Sequence, residues 1–301
     1  MPDRAQLASS DAPTSPPASI RAVVRGLTAR FRAAHIEAPR AEAEWLVAGV
    51  LDIGRPSIYL HDRLAEPARQ TVEAMAARRI AGEPLQYLFG TADFMGMRLR
   101  VAPGVLIPRP ETECVAERGI RHLQGLAARG VSRPRALDLG TGSGAIAIAV
   151  SRAVPACLVA AVELSWDALQ VATYNVATQA DTTRLCLVRA DWTSSIQGPF
   201  DVIISNPPYI STGELSGLPR HVRAEPRMAL DGGADGLTFL RRVVDEAHAL
   251  LAPGGAVCCE CAADQANRAL GWLAERDWVE VAELITDLSG RPCGVFARAT
   301  D

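Results

Sequence analysis

The sequence predicts an α/β protein: a doubly wound, mostly parallel sheet of the Rossmann-like type, preceded by a small helical domain. Three observations support this prediction. Short apolar strands alternate with helical stretches from Arg135 onwards, which is typical of a parallel sheet with helices on both faces. A glycine-rich loop follows the first of these strands and opens a helix. Before them, residues 20–81 carry apolar side chains at helical spacing.

Composition and periodicity divide the chain into four segments. Residues 1–19 are rich in Ser, Pro and Ala, which predicts a flexible tail. Residues 20–85 predict a domain of three to five helices, with proline near two helix starts and glycine at an end. Residues 86–105 change to a period of two, which predicts a β-hairpin connector. Residues 106–301 form the predicted sheet domain.

Seven short apolar runs are the predicted strands of the sheet domain: residues 136–139, 158–162, 185–188, 202–204, 256–259, 279–284 and 294–297. A helix whose apolar face runs from Leu237 to Leu251 is predicted to end at Pro253. Cys258, Cys259 and Cys261 fall in or next to the fifth strand. We interpret them as small buried apolar residues rather than metal ligands, and we predict no metal site.

Bulk composition excludes several classes of protein. The chain of 301 residues is 49% hydrophobic and 22% charged, as in ordinary globular proteins. A net charge of −3 and a pI near 6.0 argue against a protein that relies on contacts with nucleic-acid backbones. No apolar run is long enough to span a membrane, and the N-terminus lacks the apolar core of a secretion signal. Because the cysteine count is odd and no zinc spacing occurs, we expect a cytoplasmic protein.

The first candidate site is the loop Asp138 to Gly144, which follows the first predicted strand. Its Gly-x-Gly-x-Gly pattern has no lysine after it, which excludes a phosphate-binding P-loop. Glu163 ends the next strand, about 20 residues further on, where an acid that binds two ribose hydroxyls is expected. Together these features favour adenosine over a dinucleotide. Asp191 and Trp192 are candidates to bond and stack on the adenine ring, although a plain loop aromatic is the alternative interpretation.

The second candidate site is Asn206-Pro207-Pro208-Tyr209, directly after the fourth strand. An amide nitrogen is a poor nucleophile because its lone pair is delocalised into the carbonyl, so it must be positioned against an electrophilic methyl group. The Asn206 side-chain oxygen and the Pro207 carbonyl can accept hydrogen bonds from an NH₂ group. Prolines stiffen the turn, and Tyr209 offers a flat face to a planar group. A rigid loop without a ligand is the alternative interpretation.

Sheet topology places the two candidate sites together. In a doubly wound sheet the first and fourth strands are neighbours at the point where strand order reverses, and ligands bind beyond the carboxyl ends there. The glycine loop follows the first strand and Asn206 follows the fourth. We therefore predict that a methyl donor and an acceptor nitrogen meet in one cleft.

These motifs resemble the methyltransferase family that modifies peptide chain release factors on the glutamine of their Gly-Gly-Gln motif. Besides the two sites, five segments carry the resemblance: residues 82–90, 106–113, 225–230, 232–237 and 287–291. Two positions depart from the family pattern. Glu163 stands where Asp is frequent, and Ala262 stands where Gly is frequent, which would strain the backbone if that position needs a positive φ.

The resemblance implies a class I methyltransferase fold with S-adenosyl-L-methionine as cofactor and release factors as the protein partner, docked by the helical domain. We expect a monomer that has no membrane partner and no direct nucleic-acid substrate. The predicted substrate-binding residues are Asn206, Pro207, Pro208 and Tyr209. The predicted cofactor-binding residues are Gly140, Thr141, Gly142, Ser143, Gly144, Glu163, Asp191, Trp192 and Asn206.

Two other functions stay open from the sequence. Asn-Pro-Pro-Tyr is shared with methyltransferases of adenine and guanine amines, so an enzyme acting on RNA or DNA is the main alternative. Such an enzyme predicts a basic groove, which the acidic pI disfavours. A binding module that keeps the fold without turnover is the third interpretation, and the intact Asn206 to Tyr209 motif argues against it.

Overall fold

The computed structural model describes residues 18–301, which divide into two units at Phe89 and Gly90. This division falls inside the segment predicted as a connector, residues 86–105. The tail predicted for residues 1–19 lies outside the described residues except for its last two. Those two, Ala18 and Ser19, form a short strand rather than part of a loose tail.

The first unit is a bundle of short helices with its own apolar core, as the helical spacing predicts. Its strands β1 (Ala18–Ser19) and β2 (Arg63–Leu64) pair in antiparallel fashion. Its helices are α1 (Ile20–Ala33), α2 (Pro39–Leu51), a 3₁₀ helix (Arg55–Leu60), α3 (Glu66–Ala81) and α4 (Leu85–Phe89). Helix α4 occupies the first residues of the predicted connector, because the Pro84 carbonyl accepts hydrogen bonds from the next turn of backbone.

The second unit contains the predicted hairpin and the predicted sheet. The hairpin consists of β3 (Thr91–Phe94) and β4 (Met97–Arg100). The sheet strands are β5 (Arg135–Leu139), β6 (Leu158–Glu163), β7 (Leu185–Arg189), β8 (Phe200–Ser205), β9 (Leu251–Glu260), β10 (Val279–Thr286) and β11 (Pro292–Ala299). Their order is β10-β11-β9-β8-β5-β6-β7, and the five strands from β9 to β7 run parallel. The prediction of a doubly wound, mostly parallel sheet is confirmed.

Apolar side chains of the sheet alternate between two cores, one on each face. Ile204 of β8 packs in one core, and its neighbour Ile203 packs in the other, as the period of two requires. Helices cover both faces: α5 (Pro110–Ala128), α6 (Ala145–Ala153) and α7 (Trp166–Gln179) on the first, α9 (Thr238–Glu246) and α10 (Ala263–Ala274) on the second. The short helix α8 (Arg220–Arg223) lies in the connection between β8 and α9.

The end of α9 differs from the sequence prediction. The helix predicted to continue to Leu251 and stop at Pro253 ends at Glu246, and a 3₁₀ turn covers Ala247–Leu250. Strand β9 already begins at Leu251, which pairs with Phe200 of β8. Tertiary pairing with β8 therefore overrides the helical pattern of the last turn.

The cysteines in and next to β9 are buried, as the sequence predicts. Cys258, Cys259 and Cys261 are buried and form no disulfide. Within residues 18–301, no group of three or more His, Cys, Asp or Glu side chains is placed to hold a metal ion. The helices of the same range are all too short or too polar to cross a membrane.

Strands β5 and β8 are neighbours, which confirms the predicted switch point. They run parallel, with Asp138 opposite Ile204. Strands on the β5 side continue to β6 and β7, whereas those on the β8 side continue to β9. The carboxyl ends of β5 and β8 therefore lie side by side, and both candidate motifs start from this edge.

Candidate active site

A cavity of about 400 Å³ lies at the carboxyl ends of β5 to β8. Its volume is in the range of small-molecule sites, roughly 300–1,000 Å³. Nine of the predicted site residues line it: Gly140, Thr141, Gly142, Ser143, Glu163, Asp191, Trp192, Asn206 and Pro208. The other three, Gly144, Pro207 and Tyr209, are not among the residues that line it.

The glycine loop curls over the end of β6. The Gly140 N–H donates to the Val162 carbonyl at 3.0 Å, and the Gly142 N–H donates to the Glu163 carboxylate at 2.9 Å. Gly140, Gly142 and Gly144 all have positive φ, at 73°, 56° and 85°. Side chains with a Cβ rarely adopt this conformation, which explains the spacing of the three glycines.

Two buried polar residues that are not among the predicted cofactor-binding residues hold this loop in place. Asp138 accepts hydrogen bonds from the Thr141 hydroxyl at 2.5 Å and from the Ala147 N–H at 3.1 Å. Burial raises the pKa of Asp138 to about 7. Asn175 of α7 donates to the Ser143 carbonyl at 2.8 Å. Its signal in the sequence is a polar side chain on the apolar face of a predicted helix.

Glu163 uses both carboxylate oxygens to hold backbone N–H groups, one of them in the glycine loop. One oxygen accepts from Gly142, and the other accepts from the Ser165 N–H at 2.8 Å. Each carboxylate oxygen has two lone-pair positions, so each can accept a second hydrogen bond. Glu163 also lines the cavity.

Trp192 forms an aromatic wall of the cavity. Its ring lies 5.4 Å from the Phe239 ring, and its indole Nε1 is buried without a hydrogen-bond partner among the described residues. Trp192 also has a φ of 56°, which is unusual for a residue with a bulky side chain. Asp191 is exposed, and its carboxylate lies 3.6 Å from the Arg242 guanidinium. That Asp191 and Trp192 hold adenine stays a prediction.

The Asn206 to Tyr209 loop is held by Gln265 of α10 and packs closely against Gly236. The Gln265 side-chain amide donates to the Tyr209 carbonyl at 2.8 Å. A Cβ on Gly236 would lie 2.4 Å from the same carbonyl oxygen, so only glycine fits at this contact. This close packing against Tyr209 explains why the segment Gly232 to Leu237 carries glycine at position 236. The Tyr209 hydroxyl donates to Glu260 at 3.2 Å.

Thr112 and Glu260 contact the predicted site but are absent from the sequence prediction. The Asn206 side-chain NH₂ donates to the Thr112 hydroxyl at 3.0 Å, and that hydroxyl donates to Glu260 at 2.6 Å. Both Thr112 and Glu260 are buried, and burial raises the pKa of Glu260 to about 7. The only sequence signal for Glu260 is a carboxylate at the end of an otherwise apolar strand.

An ion pair between buried Glu225 and half-buried Arg109 organises another part of the cavity wall. Glu225 accepts a hydrogen bond from the Ile107 N–H at 2.9 Å and pairs with the Arg109 guanidinium. This contact draws together two segments that line the cavity, one around Leu106 and one around Met228. Both belong to the segments singled out in the sequence.

Ala262, the other departure from the family pattern, carries no backbone strain. Its φ of −64° and ψ of 151° are extended, and it precedes the first turn of α10. Alanine adopts this conformation freely. A glycine is therefore not required at this position.

The chain is similar to known proteins along most of its length. A family model described as the PrmC N-terminal domain matches residues 22–90, and one described as the methyltransferase small domain matches residues 121–219. A release factor glutamine methyltransferase of Bradyrhizobium diazoefficiens is 36% identical over 288 residues, covering 93% of this chain and 95% of that protein. One of Bordetella pertussis is 42% identical over 247 residues, covering 81% and 89%.

Solved structures share the fold at lower identity. The crystal structure of the hMettl16 catalytic domain in complex with MAT2A 3′UTR hairpin 6 aligns with a TM-score of 0.52 and 15% identity. The alignment covers 78% of this chain and 82% of that one. At this identity the likeness shows the fold alone. The class I methyltransferase fold expected from the sequence is confirmed.

Proposed function

The chain belongs to the family of release factor glutamine methyltransferases, and we propose that it methylates a release factor. In this proposal a methyl group passes from S-adenosyl-L-methionine to the side-chain amide nitrogen of the glutamine in the Gly-Gly-Gln motif. One observation carries it: Asn206 lines the same cavity as the glycine loop and Glu163. Its NH₂ group is engaged by Thr112, which leaves the side-chain oxygen available for an acceptor NH₂ group.

The cavity lining suits the adenosine portion of the cofactor. Glu163 has lone pairs to spare for the two ribose hydroxyls, and Trp192 supplies a flat apolar wall with an unpartnered N–H. The glycine loop lets the backbone approach the ligand closely. S-adenosyl-L-methionine, when bound, supplies an electrophilic methyl group on a positively charged sulfur.

Positioning is the main task of the residues around the acceptor. Asn206 Oδ1 and the Pro207 carbonyl each accept a hydrogen bond from the glutamine NH₂ group, which fixes the direction of its nitrogen. Prolines at 207 and 208 restrict the backbone that carries these acceptors. Holding two reactants in a productive geometry replaces a bimolecular encounter and lowers the barrier by up to roughly 7–11 kcal/mol.

The helical unit, residues 20–85, is proposed to dock the release factor. A glutamine in an exposed loop offers few contacts to a narrow site, so remote contacts must position it. We propose a monomer that works in the cytoplasm with no direct nucleic-acid substrate. The net charge of −3 supports the last point.

The experiment is methyl transfer from a labelled donor to intact release factor, to a short Gly-Gly-Gln peptide and to bulk RNA, each at two salt concentrations. We expect labelling of the release factor, mapped by mass spectrometry to the glutamine, and poor labelling of the peptide. A release factor with Gln replaced by Asn is the control. Salt-sensitive labelling of RNA with none on the release factor would overturn the proposal in favour of the amine methyltransferase.

A further inference from the structure

The orientation of the Asn206 carboxamide decides whether the methyl-accepting amide of the substrate can bind. Oxygen and nitrogen of a side-chain amide have nearly the same shape, so only their hydrogen-bond partners distinguish the two orientations. An acceptor NH₂ group needs the oxygen, because two facing NH₂ groups cannot bond. In this structure the nitrogen, Nδ2, donates to the Thr112 hydroxyl at 3.0 Å. Among residues 18–301, no group donates to Oδ1.

Thr112 can hold this orientation because its own proton is committed elsewhere. A threonine hydroxyl has one proton and two lone pairs. That proton is donated to Glu260 Oε2 at 2.6 Å, which leaves the hydroxyl as an acceptor toward Asn206. Thr112 is only 4% exposed, so water does not readily replace either contact.

Glu260 is the fixed end of the chain of hydrogen bonds. It lies at the end of β9, is 1% exposed, and accepts from the Tyr209 hydroxyl with its other oxygen. A carboxylate has acceptors only, so its ionised form determines the direction of every bond that reaches it. Ionised Glu260 therefore fixes the donor-to-acceptor direction of the hydrogen bonds from Asn206 to Thr112 and from Thr112 to Glu260.

We propose that Thr112 and Glu260 are positioning residues for methyl transfer, which turn Asn206 Oδ1 toward the acceptor amide through this chain of hydrogen bonds. The inference rests on the proposed function for the identity of the acceptor. Protonation of Glu260 reverses the chain: Glu260 then donates to Thr112, and Thr112 donates to the Asn206 oxygen. The NH₂ group of Asn206 would then face the acceptor and block its binding.

A dependence on pH follows from the surroundings of Glu260. Burial raises its pKa to about 7, the negative charge of Glu111 acts in the same direction, and Arg109 opposes both. The hydrogen bonds from Thr112 and Tyr209 also lower this pKa. The remaining titratable groups nearby are three cysteine thiols on β9, after it and on β11, whose pKa values are raised: Cys259, Cys261 and Cys293. They stay neutral near pH 7, so among the groups around Glu260 only Glu260 itself changes charge there.

The first test compares single-turnover rates of variants with intact release factor. We expect Thr112→Val to slow methyl transfer on the order of 10- to 100-fold, as for a buried group left without its partner, with cofactor affinity within about twofold of wild type. Thr112→Ser keeps the hydroxyl and should restore most of the rate. Thr173→Val, an exposed site in α7, is the matched control. A Thr112→Ser variant as slow as Thr112→Val would assign the effect to packing and overturn the proposal.

The second test is the pH profile. The wild-type rate should rise with pH and level off above the Glu260 transition near pH 7. Glu260→Gln places an NH₂ donor beside Thr112, as in the protonated acid. It should hold the rate near the low-pH wild-type value at every pH. A Glu260→Gln enzyme with the wild-type profile would contradict the inference.

The third test needs no substrate and separates this inference from the proposed function. In protein labelled with ¹⁵N-asparagine, the Asn206 side-chain NH₂ signals, assigned by their loss in Asn206→Asp, should move with pH around 7. They should not move in Thr112→Val. If wild type fails to methylate release factor but these signals titrate, the substrate assignment fails and the chain of hydrogen bonds stands. Signals that ignore both pH and Thr112→Val would refute the chain itself.

Discussion

The two sides of the cavity are built in different ways. The cofactor side, formed by the loop Asp138 to Gly144 and by Glu163, is held by side-chain carboxylates that accept hydrogen bonds from two backbone N–H groups and one hydroxyl nearby in sequence. The bonds from Thr141 and Ala147 to Asp138 span 3 and 9 residues, and that from Gly142 to Glu163 spans 21. Apart from the bond from Asn175 to Ser143, which spans 32 residues, this side is therefore a local structure set by one loop and the next strand.

The acceptor side, formed by Thr112, Asn206 to Tyr209 and Glu260, is held by side chains that are distant in sequence. The bond from Asn206 to Thr112 spans 94 residues, and that from Thr112 to Glu260 spans 148. A backbone N–H group can only donate, so its role is fixed by the loop conformation. A side-chain amide can turn either its oxygen or its nitrogen toward a ligand, so a neighbouring hydrogen-bond partner must fix its orientation. The difference teaches that cofactor binding depends on loop conformation and acceptor binding on long-range hydrogen bonds.

The largest effect is expected on the acceptor side, at Asn206. Asn206→Ala should reduce the single-turnover rate about 10²- to 10³-fold, as when a preorganised polar contact is removed. Asn206→Asp should bind cofactor yet align the amide poorly. Asn267→Ala on the exposed face of α10 is the control. Near wild-type rates for both Asn206 variants would mean that this residue does not position the acceptor.

A smaller effect, and one of a different kind, is expected on the cofactor side. Glu163→Ala should weaken cofactor binding by about 1.5–3 kcal/mol, or roughly 10- to 150-fold, since it removes hydrogen bonds to a charged group. Calorimetry measures this directly. Glu163→Asp, the residue frequent in the family, should stay within a few-fold of wild type. Unchanged affinity in a folded Glu163→Ala variant would remove this residue from the cofactor site.

The contrast between the two sides also explains what the sequence could predict. The glycine loop, Glu163 and Asn206 to Tyr209 are contiguous motifs at strand ends, and topology alone places nine of the predicted residues on one cavity. Glu260 carries no local pattern, and Thr112 lies in the segment 106–113 without a role that the sequence assigns to it. Their contact depends on how α5 and β9 pack around β8. The predicted end of α9 was wrong for a similar reason, because the pairing of Leu251 with Phe200 depends on tertiary structure.

Asp138 offers a test of the cofactor side through folding stability. Its pKa is raised to about 7, so the folded state keeps a proton that the unfolded state releases above about pH 4. Stability from this group is therefore full below pH 4 and is lost as pH rises toward 7, by up to about 1.4 kcal/mol per pH unit. Asp138→Asn should flatten that slope in urea unfolding at pH 5 and pH 8.

The control for this measurement is Asp277→Asn, the same change at an exposed position. It should leave the slope as in wild type. Glu260 has a pKa raised in the same direction, so some slope will remain in Asp138→Asn. An unaltered slope in Asp138→Asn would mean that Asp138 is ionised in the folded protein and that the loop rests on a charged anchor.

The smallest effect is expected at Tyr209, where two substitutions separate the role of the ring from that of the hydroxyl. Tyr209→Phe removes only the hydroxyl that donates to Glu260 at 3.2 Å, a long bond for two oxygens, so turnover should fall less than about tenfold. That bond lowers the pKa of Glu260, so its loss should move the rise in rate to higher pH. Tyr209→Leu also removes the ring and should raise KM for the release factor, whereas Tyr209→Phe should not. Tyr174→Phe, at an exposed position of α7, is the control for the lost hydroxyl. If Tyr209→Phe shifts KM while the pH profile stays in place, the hydroxyl contacts the substrate directly. Of the two hydroxyls, only that of Thr112 would then lower the pKa of Glu260.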